Sequence, residues 1–365
     1  MKIVIYGLSV SSSWGNGHAT LWRGLIRALA RKGHEVVFFE KDVPYYAGQR
    51  DLWELPGGEL ILYSDWDQAL ELSKRHLDGA DVAMVTSYCP NGVAATDLVL
   101  ASKARSKCFY DLDTPVTLDR LEAGEDVFYL GPRGLADFDL VLSYTGGSAL
   151  SELQTKLGAR RVAPLYGSVD PDVHRPVAAS SSYASDVSYL GTYAEDRQER
   201  LDQLFITPAR LLPDKKFLIG GAMYPQEFPW TNNIYFVRHL PPSDHPAFYS
   251  SSRLTVNVTR RAMAAMGYCP SGRMFEAAAC GVPVLTDSWE GLDAFFEPGS
   301  EVLIGNSTQD ALDAISLSDD ELARIAKAAR ARTLDEHTAD KRAVDFENAI
   351  QDAMSRRPHE TAGVA

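Results

Sequence analysis

The run Ser271-Gly272-Arg273-Met274-Phe275-Glu276-Ala277-Ala278-Ala279-Cys280-Gly281 holds the residues whose types and spacing speak most directly of chemistry. It reads as a short helix that starts at Ser271 and stops at Gly281, followed at once by a buried strand, Val282 to Thr286. Open amides at a helix start favour an anion, so Ser271 and Gly272 mark a place for one. Arg273 adds a full positive charge there, and Arg260 and Arg261 in the preceding Thr259-Arg260-Arg261 step add more. Glu276, one turn in, is an acceptor within reach of whatever the amides hold, and Ala277 to Ala279 leave the backbone free to lie close to a sheet or a ligand. A phosphate at the amides and a diol on the carboxylate together describe a nucleotide.

A second group lies early in the chain. Gly15-Asn16-Gly17-His18 ends a loop rich in Ser and Gly, Ser9 to Gly17. The spacing Gly7, Gly15, Gly17 is not a compact G-x-G-x-x-G, which argues against a dinucleotide site. Asp111-Leu112-Asp113-Thr114-Pro115 follows a later strand, and either aspartate is placed to orient His18, since a carboxylate partner fixes a histidine's tautomer and raises its basicity. Turn chemistry before Pro115 accounts for an aspartate equally well. The Asp-x-Asp pattern also invites a metal reading, which only the family resemblance carried by the C-terminal run sets aside.

Residues so spread need strand ends to bring them together. Lys2 to Gly7 reads as a strand, Leu21, Leu25, Ala28 and Leu29 fall on one helical face closed by Gly33, and Glu35 to Glu40 is the next strand. That is the first βαβ of a doubly wound sheet. Runs at Leu60 to Tyr63, Val82 to Thr86, Lys107 to Tyr110 and Leu140 to Ser143 continue the alternation and predict a mostly parallel sheet. A second set opens with Val187 to Tyr193 and a helix from Glu195, and continues with Lys216 to Gly221 and Leu254 to Val258. Between the sets, the segment Ala178 to Ser185 is a linker of Ser, Ala and one Tyr. Ser318-Asp319-Asp320-Glu321 is a capping box for a scaffold helix, and Ala343, Phe346, Ile350 and Met354 share one face of a closing helix. The expected division is a first domain over residues 1–170, a linker over 171–186, a second domain over 187–342, a closing helix over 343–357 and a disordered tail over 358–365.

The 365 residues suffice for two full cores. With 36 Lys+Arg against 49 Asp+Glu the net charge is -13, which argues against nucleic acid or an anionic membrane as the main partner. An anionic ligand must then be met by local basic residues. Cys89, Cys108, Cys269 and Cys280 form no CxxC pair and read as reduced thiols, not as a zinc site. No apolar run is long enough to span a bilayer, and the opening residues do not read as a signal peptide, so a soluble cytoplasmic protein is expected.

The run from Arg273 to Asp287, with Phe296-Glu297-Pro298-Gly299-Ser300-Glu301-Val302 and Glu336-His337-Thr338, resembles the C-terminal half of GT-B glycosyltransferases, above all their spore-maturation (CgeB-type) branch. The resemblance implies an α/β protein of two Rossmann-like domains facing a cleft, with a nucleotide-diphosphate sugar as donor substrate, no separate cofactor and no metal. Glu276 would sit at the ribose. Gly191 would end the first strand of the donor domain at the cleft, with Arg197 as the cation nearest the diphosphate and Thr192 where related retaining enzymes carry an arginine. Gly17-His18 and Gly33-His34-Glu35-Val36 resemble the start of many such enzymes, in whose inverting members the first histidine is the general base on the acceptor hydroxyl. His34 would be structural. Trp14, Trp22, Tyr45, Tyr46, Trp53 and Trp66 are candidates to line an acceptor pocket or to be core. Retaining relatives carry two glutamates with seven residues between them, and Tyr268 stands where the first would be, so stereochemistry is open. Oligomeric state is open too. Two alternatives stand beside the transferase: a nucleotide-sugar epimerase of the same fold, and a non-catalytic spore or cell-surface assembly protein.

Overall fold

The computed structural model describes residues 1–355, so the tail expected to be disordered and residues 356 and 357 of the expected closing helix lie outside the described residues. Among the described residues thirteen strands form two sheets. The first holds β1 (Lys2–Gly7), β2 (Glu35–Lys41), β3 (Glu59–Tyr63), β4 (Val82–Thr86), β5 (Ser106–Asp111), β6 (Leu140–Ser143) and β7 (Val162–Pro164), in the order β3-β2-β1-β4-β5-β6-β7. The second holds β8 (Ser185–Leu190), β9 (Phe217–Gly221), β10 (Ile234–Arg238), β11 (Ser252–Asn257), β12 (Val284–Thr286) and β13 (Leu303–Ile304), in the order β10-β9-β8-β11-β12-β13. Every pairing is parallel, as in Ile3 against Val36 and Ile3 against Val82. The central strands are apolar on both faces because helices cover both, which is why they read as continuous runs rather than alternations.

In each sheet the strand order reverses once, between β1 and β4 and between β8 and β11. Loops leaving the carboxyl ends there diverge to opposite faces and open a crevice, the usual ligand position of such sheets. The two crevices share one cavity of about 500 Å³, lined by His18, Tyr88 and Asp113 from the first half and by Gly191, Arg273 and Glu276 from the second.

The expected helix from Glu195 is a composite: a 3-10 turn at Glu195–Arg197, α-helix at Gln198–Leu201, a π turn at Asp202–Ile206 and α-helix again at Thr207–Leu211. Pro208 has no N–H to give to the turn before it, and the π turn absorbs that mismatch. The strand expected from Val282 begins at Val284. Gly281 is left-handed (φ +79°) and closes the helix Gly272–Ala279 as a Schellman cap, its amide on Ala278 O (3.0 Å) and that of Val282 on Ala277 O (3.2 Å). Val282 is therefore spent on the cap, and Pro283 has no donor for the ladder.

The last helix starts at Ala339 rather than at residue 343, and its buried face (Ala339, Ala343, Phe346, Ile350, Ala353) joins the core under β1, β4 and β5. Two chain segments thus pass between the sheets side by side. Val169 N donates to His337 O (3.0 Å) and Ala339 N to Val169 O (2.8 Å). His337, buried against Phe275, pins this crossover: its Nε2 donates to Phe295 O (3.0 Å), and its Nδ1 accepts from Arg342 Nη2 (3.0 Å). Burial and the Arg342 charge hold its pKa down at about 4, which fits the neutral ring this bonding requires. All four cysteines are buried thiols. Among the described residues no helix is long and apolar enough to cross a membrane.

Candidate functional site in the interdomain cleft

The serine-glycine loop after β1 is built around one carboxylate. Glu40, fully buried, accepts from Ser9 Oγ (2.9 Å), Ser11 Oγ (2.6 Å), Val10 N (2.8 Å) and Ser11 N (3.0 Å). Asn16 completes the fold of the loop: its side-chain amide donates to Ser9 O, and its Oδ1 accepts from His18 N (3.2 Å), the first amide of the helix His18–Arg31. His18 is thereby set on the first turn, at the edge of the cavity. Its Nε2 stands 3.7 Å from Asp113 Oδ1, longer than a formed hydrogen bond.

Asp113, not Asp111, faces His18. Burial would push the Asp113 carboxyl up, but His18, Arg260 and a hydrogen bond from Tyr88 outweigh it and hold the group below its usual range. The Tyr88 ring lies 6.2 Å from that of His18 and is aimed by a left-handed backbone (φ +63°). Asp111 is fully buried behind them, its Oδ1 accepting from Asp113 N (3.1 Å), and burial pushes its pKa up to about 6. A carboxyl whose pKa rises from 3.8 unfolded to about 6 folded contributes stability that is complete below pH 3.8 and lost as pH climbs through 6. Asp111→Asn should accordingly gain on the parent, by on the order of 3 kcal/mol between about pH 4 and pH 7. Urea unfolding of both proteins across that range checks it, and a constant difference would refute it.

In the second half Arg273 is committed inward. Its guanidinium donates to Leu190 O (2.6 Å), Val258 O (3.1 Å) and Ser271 Oγ (3.2 Å) and lies over the Tyr189 ring. It thus clamps the ends of β8 and β11 at the point where the order reverses. Gly191 makes room for it, since a Cβ there would stand 2.8 Å from Arg273 Nη1. Ser271 starts the helix with its backbone and gives its hydroxyl to Arg273 rather than to a cap, and Gly272 opens the first turn. Arg197 donates Nη1 to Tyr189 OH (3.3 Å), while its buried Nε has no hydrogen-bond partner. Arg260 shares its Nε with Asp196 (2.9 Å). Arg261 opens the next helix, exposed and away from this cavity.

Glu276 is buried at the cavity wall, 7% exposed, on the helix Gly272–Ala279. Its Oε2 faces two histidines that no spacing rule would have joined to it: His245 Nδ1 at 3.4 Å and His174 Nε2 at 3.9 Å, neither with hydrogen-bond geometry. Burial would push this carboxyl up, yet the facing His174 and His245, with Arg273, hold it down at about 2, so it is ionised at neutral pH. Burial lowers the pKa of His174. The only sequence cue to this pair is that each histidine follows a turn-forming aspartate, Asp172 or Asp244, which gives no hint that they meet.

Of the six candidate aromatics, Trp22 is core against Phe38 and Tyr110, and Trp66 packs on Tyr6 and Tyr63. Tyr46 lines the cavity, Trp14 packs on His239 across the cleft (4.5 Å), and Tyr45 OH reaches Met223 Sδ there (3.9 Å). Trp53 is exposed beneath Arg50. His34 ties the N-terminal amine to Glu347. Tyr268 fills a slot between two glycines, where a Cβ on Gly147 or Gly291 would stand 2.6 or 2.4 Å from its ring. Its O accepts from Gly146 N (3.0 Å) and its N donates to Glu290 O (2.7 Å), so a tyrosine here braces one half against the other.

Residues 197–348 match a family described as glycosyl transferase-like. Among solved structures, sucrose-phosphate synthase from Thermosynechococcus elongatus is similar over 97% of this chain and 100% of its own, with a TM-score of 0.71 at 15% identity. HepE from Anabaena, in complex with UDP and glucose, is similar over 96% of this chain and 99% of its own, with a TM-score of 0.64 at 15% identity. An alpha-glucosyltransferase in complex with UDP and DNA gives 0.66 at 12% identity, over 96% and 100%. The chain has the GT-B fold. A comparison with curated protein sequences finds no match. In GT-B terms the residues described above divide between the two facing domains, with His18, Tyr88 and Asp113 on the first and Gly191, Arg197, Arg260 and Glu276 on the second.

Proposed function

We propose that this protein is a glycosyltransferase, taking a sugar from a nucleoside diphosphate donor bound on the second domain and giving it to an acceptor hydroxyl held over the first. The observation that carries the reading is a buried, ionised carboxylate, Glu276, beside the start of the helix Gly272–Ala279, in one cavity with His18 and Asp113. The similarity of residues 197–348 to glycosyl transferase-like proteins and the UDP held by two GT-B neighbours support the donor half, and the CgeB-type likeness of the central stretch narrows it.

In this reading Glu276 accepts from the ribose hydroxyls, and the first-turn amides and Arg197, whose Nε is unspent, take the diphosphate. Arg260 adds charge, and Arg273 positions the strand ends rather than the ligand. The acceptor oxygen bonds to the anomeric carbon as the bond from that carbon to the diphosphate breaks. The electron pair leaves with the diphosphate, and the acceptor proton passes to His18, whose other nitrogen Asp113 orients. The 3.7 Å gap between them is of the kind that shortens when a substrate fills the site. No metal is needed at the phosphates. Tyr46 and the Trp14 rim suit a sugar or an aromatic acceptor, and the net charge of -13 speaks against nucleic acid in that place. The absence of CxxC pairs and of any membrane-crossing helix among the described residues supports action in the cytoplasm.

Nucleotide release and product analysis across UDP, GDP and dTDP sugars tests the reading. Transfer or donor hydrolysis supports it, epimer interconversion replaces it with an epimerase, and silence with every donor favours an assembly role. Arg197→Ala should weaken diphosphate binding by roughly 10- to 150-fold, the equivalent of one charge-assisted hydrogen bond. Parent-like affinity in calorimetry would remove Arg197 from the phosphate site.

A further inference from the structure

We infer that His174, His245 and Glu276 form a binding site for a divalent late transition-metal ion of the zinc class. The three come from separate segments: His174 from the turn after Asp170 between the domains, His245 from the start of the helix His245–Ser250, and Glu276 from the helix Gly272–Ala279. Their ligand atoms all lie within 4.8 Å of one another, with Glu276 Oε2 3.4 Å from His245 Nδ1 and 3.9 Å from His174 Nε2. Two ligands of a tetrahedral zinc, each about 2.0 to 2.1 Å from the metal, stand about 3.4 Å apart. The cluster therefore needs shifts of well under a side-chain rotamer to close on an ion.

The second observation is that three ring nitrogens of the two histidines are buried without a hydrogen-bond partner. His174 is 1% exposed, and neither of its ring nitrogens has a hydrogen-bond partner; His245 Nδ1 is likewise buried without one. Leaving such atoms unmade is costly, and a cation would answer His174 Nε2 and His245 Nδ1 at once. Two imidazoles and one carboxylate are borderline donors that suit zinc, cobalt, nickel or copper and do not suit magnesium or calcium, which take oxygen. His245 and Glu276 also line the cavity, so one coordination position faces the cleft and is open to water or to a ligand oxygen. The expectation of no metal came from the cysteines, from Asp111-Leu112-Asp113 and from the GT-B resemblance, and none of these weighed His174 or His245 beside Glu276. A carboxylate has two oxygens, so a metal on Oε2 leaves Oε1 for a nucleotide. A bound ion would tie the linker to the donor domain next to the crossover.

The test uses the full chain without a tag, stripped with chelator and then equilibrated with Zn2+ or Co2+ in the absence of nucleotide. Mass spectrometry of the metal should find one ion per chain, and Co2+ should give the visible absorption of a tetrahedral nitrogen and oxygen site. His245→Ala and the isosteric Glu276→Gln, each checked for fold by circular dichroism, should lose more affinity than the roughly 10- to 100-fold that removing an outer partner costs. Metal content far below one per chain at micromolar free Zn2+ would overturn the inference, as would stoichiometric binding that survives both substitutions. Nucleotide titration of the stripped protein is a separate measurement, so loss of the metal site and loss of the donor reading are distinguishable.

Discussion

His18→Ala is expected to lower turnover by roughly 100-fold or more while leaving nucleoside diphosphate affinity within about twofold of the parent. The asymmetry follows from placement. His18 stands on the first turn of the helix after β1, beside Asp113 and Tyr88, whereas every group proposed to hold the nucleotide belongs to the second domain. A base acts on the acceptor proton, which is in motion only in the transition state, so its loss falls on kcat and spares binding. Asp113→Asn should show the same pattern with a smaller loss, because it turns the imidazole without removing it. Steady-state nucleotide release and calorimetry on the same preparations check both. Turnover of His18→Ala within threefold of the parent would dismiss the base. The anomeric configuration of the product then reports whether one displacement, as a single base implies, or two take place.

Glu276→Ala is expected to weaken nucleoside diphosphate binding by roughly 10- to 150-fold, the equivalent of about 1.5 to 3 kcal/mol for hydrogen bonds to an ionised group. A solvated helix charge would matter far less, and the burial of Glu276 sets that reading aside. Because the ribose belongs to the nucleotide and not to the sugar, free diphosphate and intact donor should lose affinity alike. Calorimetry of both ligands in the presence of chelator, after circular dichroism confirms the fold, makes the comparison without interference from any ion at His174 and His245. Equal, parent-like affinities would take Glu276 out of the site.

The sequence by itself determined the two parallel sheets, because strands buried on both faces must be apolar along their whole length and because each is separated from the next by a helix-length segment. It also determined the helix Gly272–Ala279, whose left-handed Gly281 cap is a local requirement of backbone geometry. Spacing reaches only a few residues along the chain, however, and the partners of a side chain are set by which strand ends meet. Only the tertiary structure decided that Arg273 clamps Leu190 and Val258, that Glu40 gathers the serine loop, and that Asp113 rather than Asp111 faces His18. Trp22 and Trp66 were likewise ambiguous, because an aromatic ring suits a core and a sugar pocket equally well and burial alone separates them. Tyr268 could be read as a missing glutamate until Gly147 and Gly291, far off in sequence, proved to form the slot it fills. The convergence of His174 and His245 on Glu276 was the least legible feature of all. Those residues share no helix, strand or motif, and only the packing of the linker and of the helix His245–Ser250 about the helix Gly272–Ala279 brings them within reach of one carboxylate.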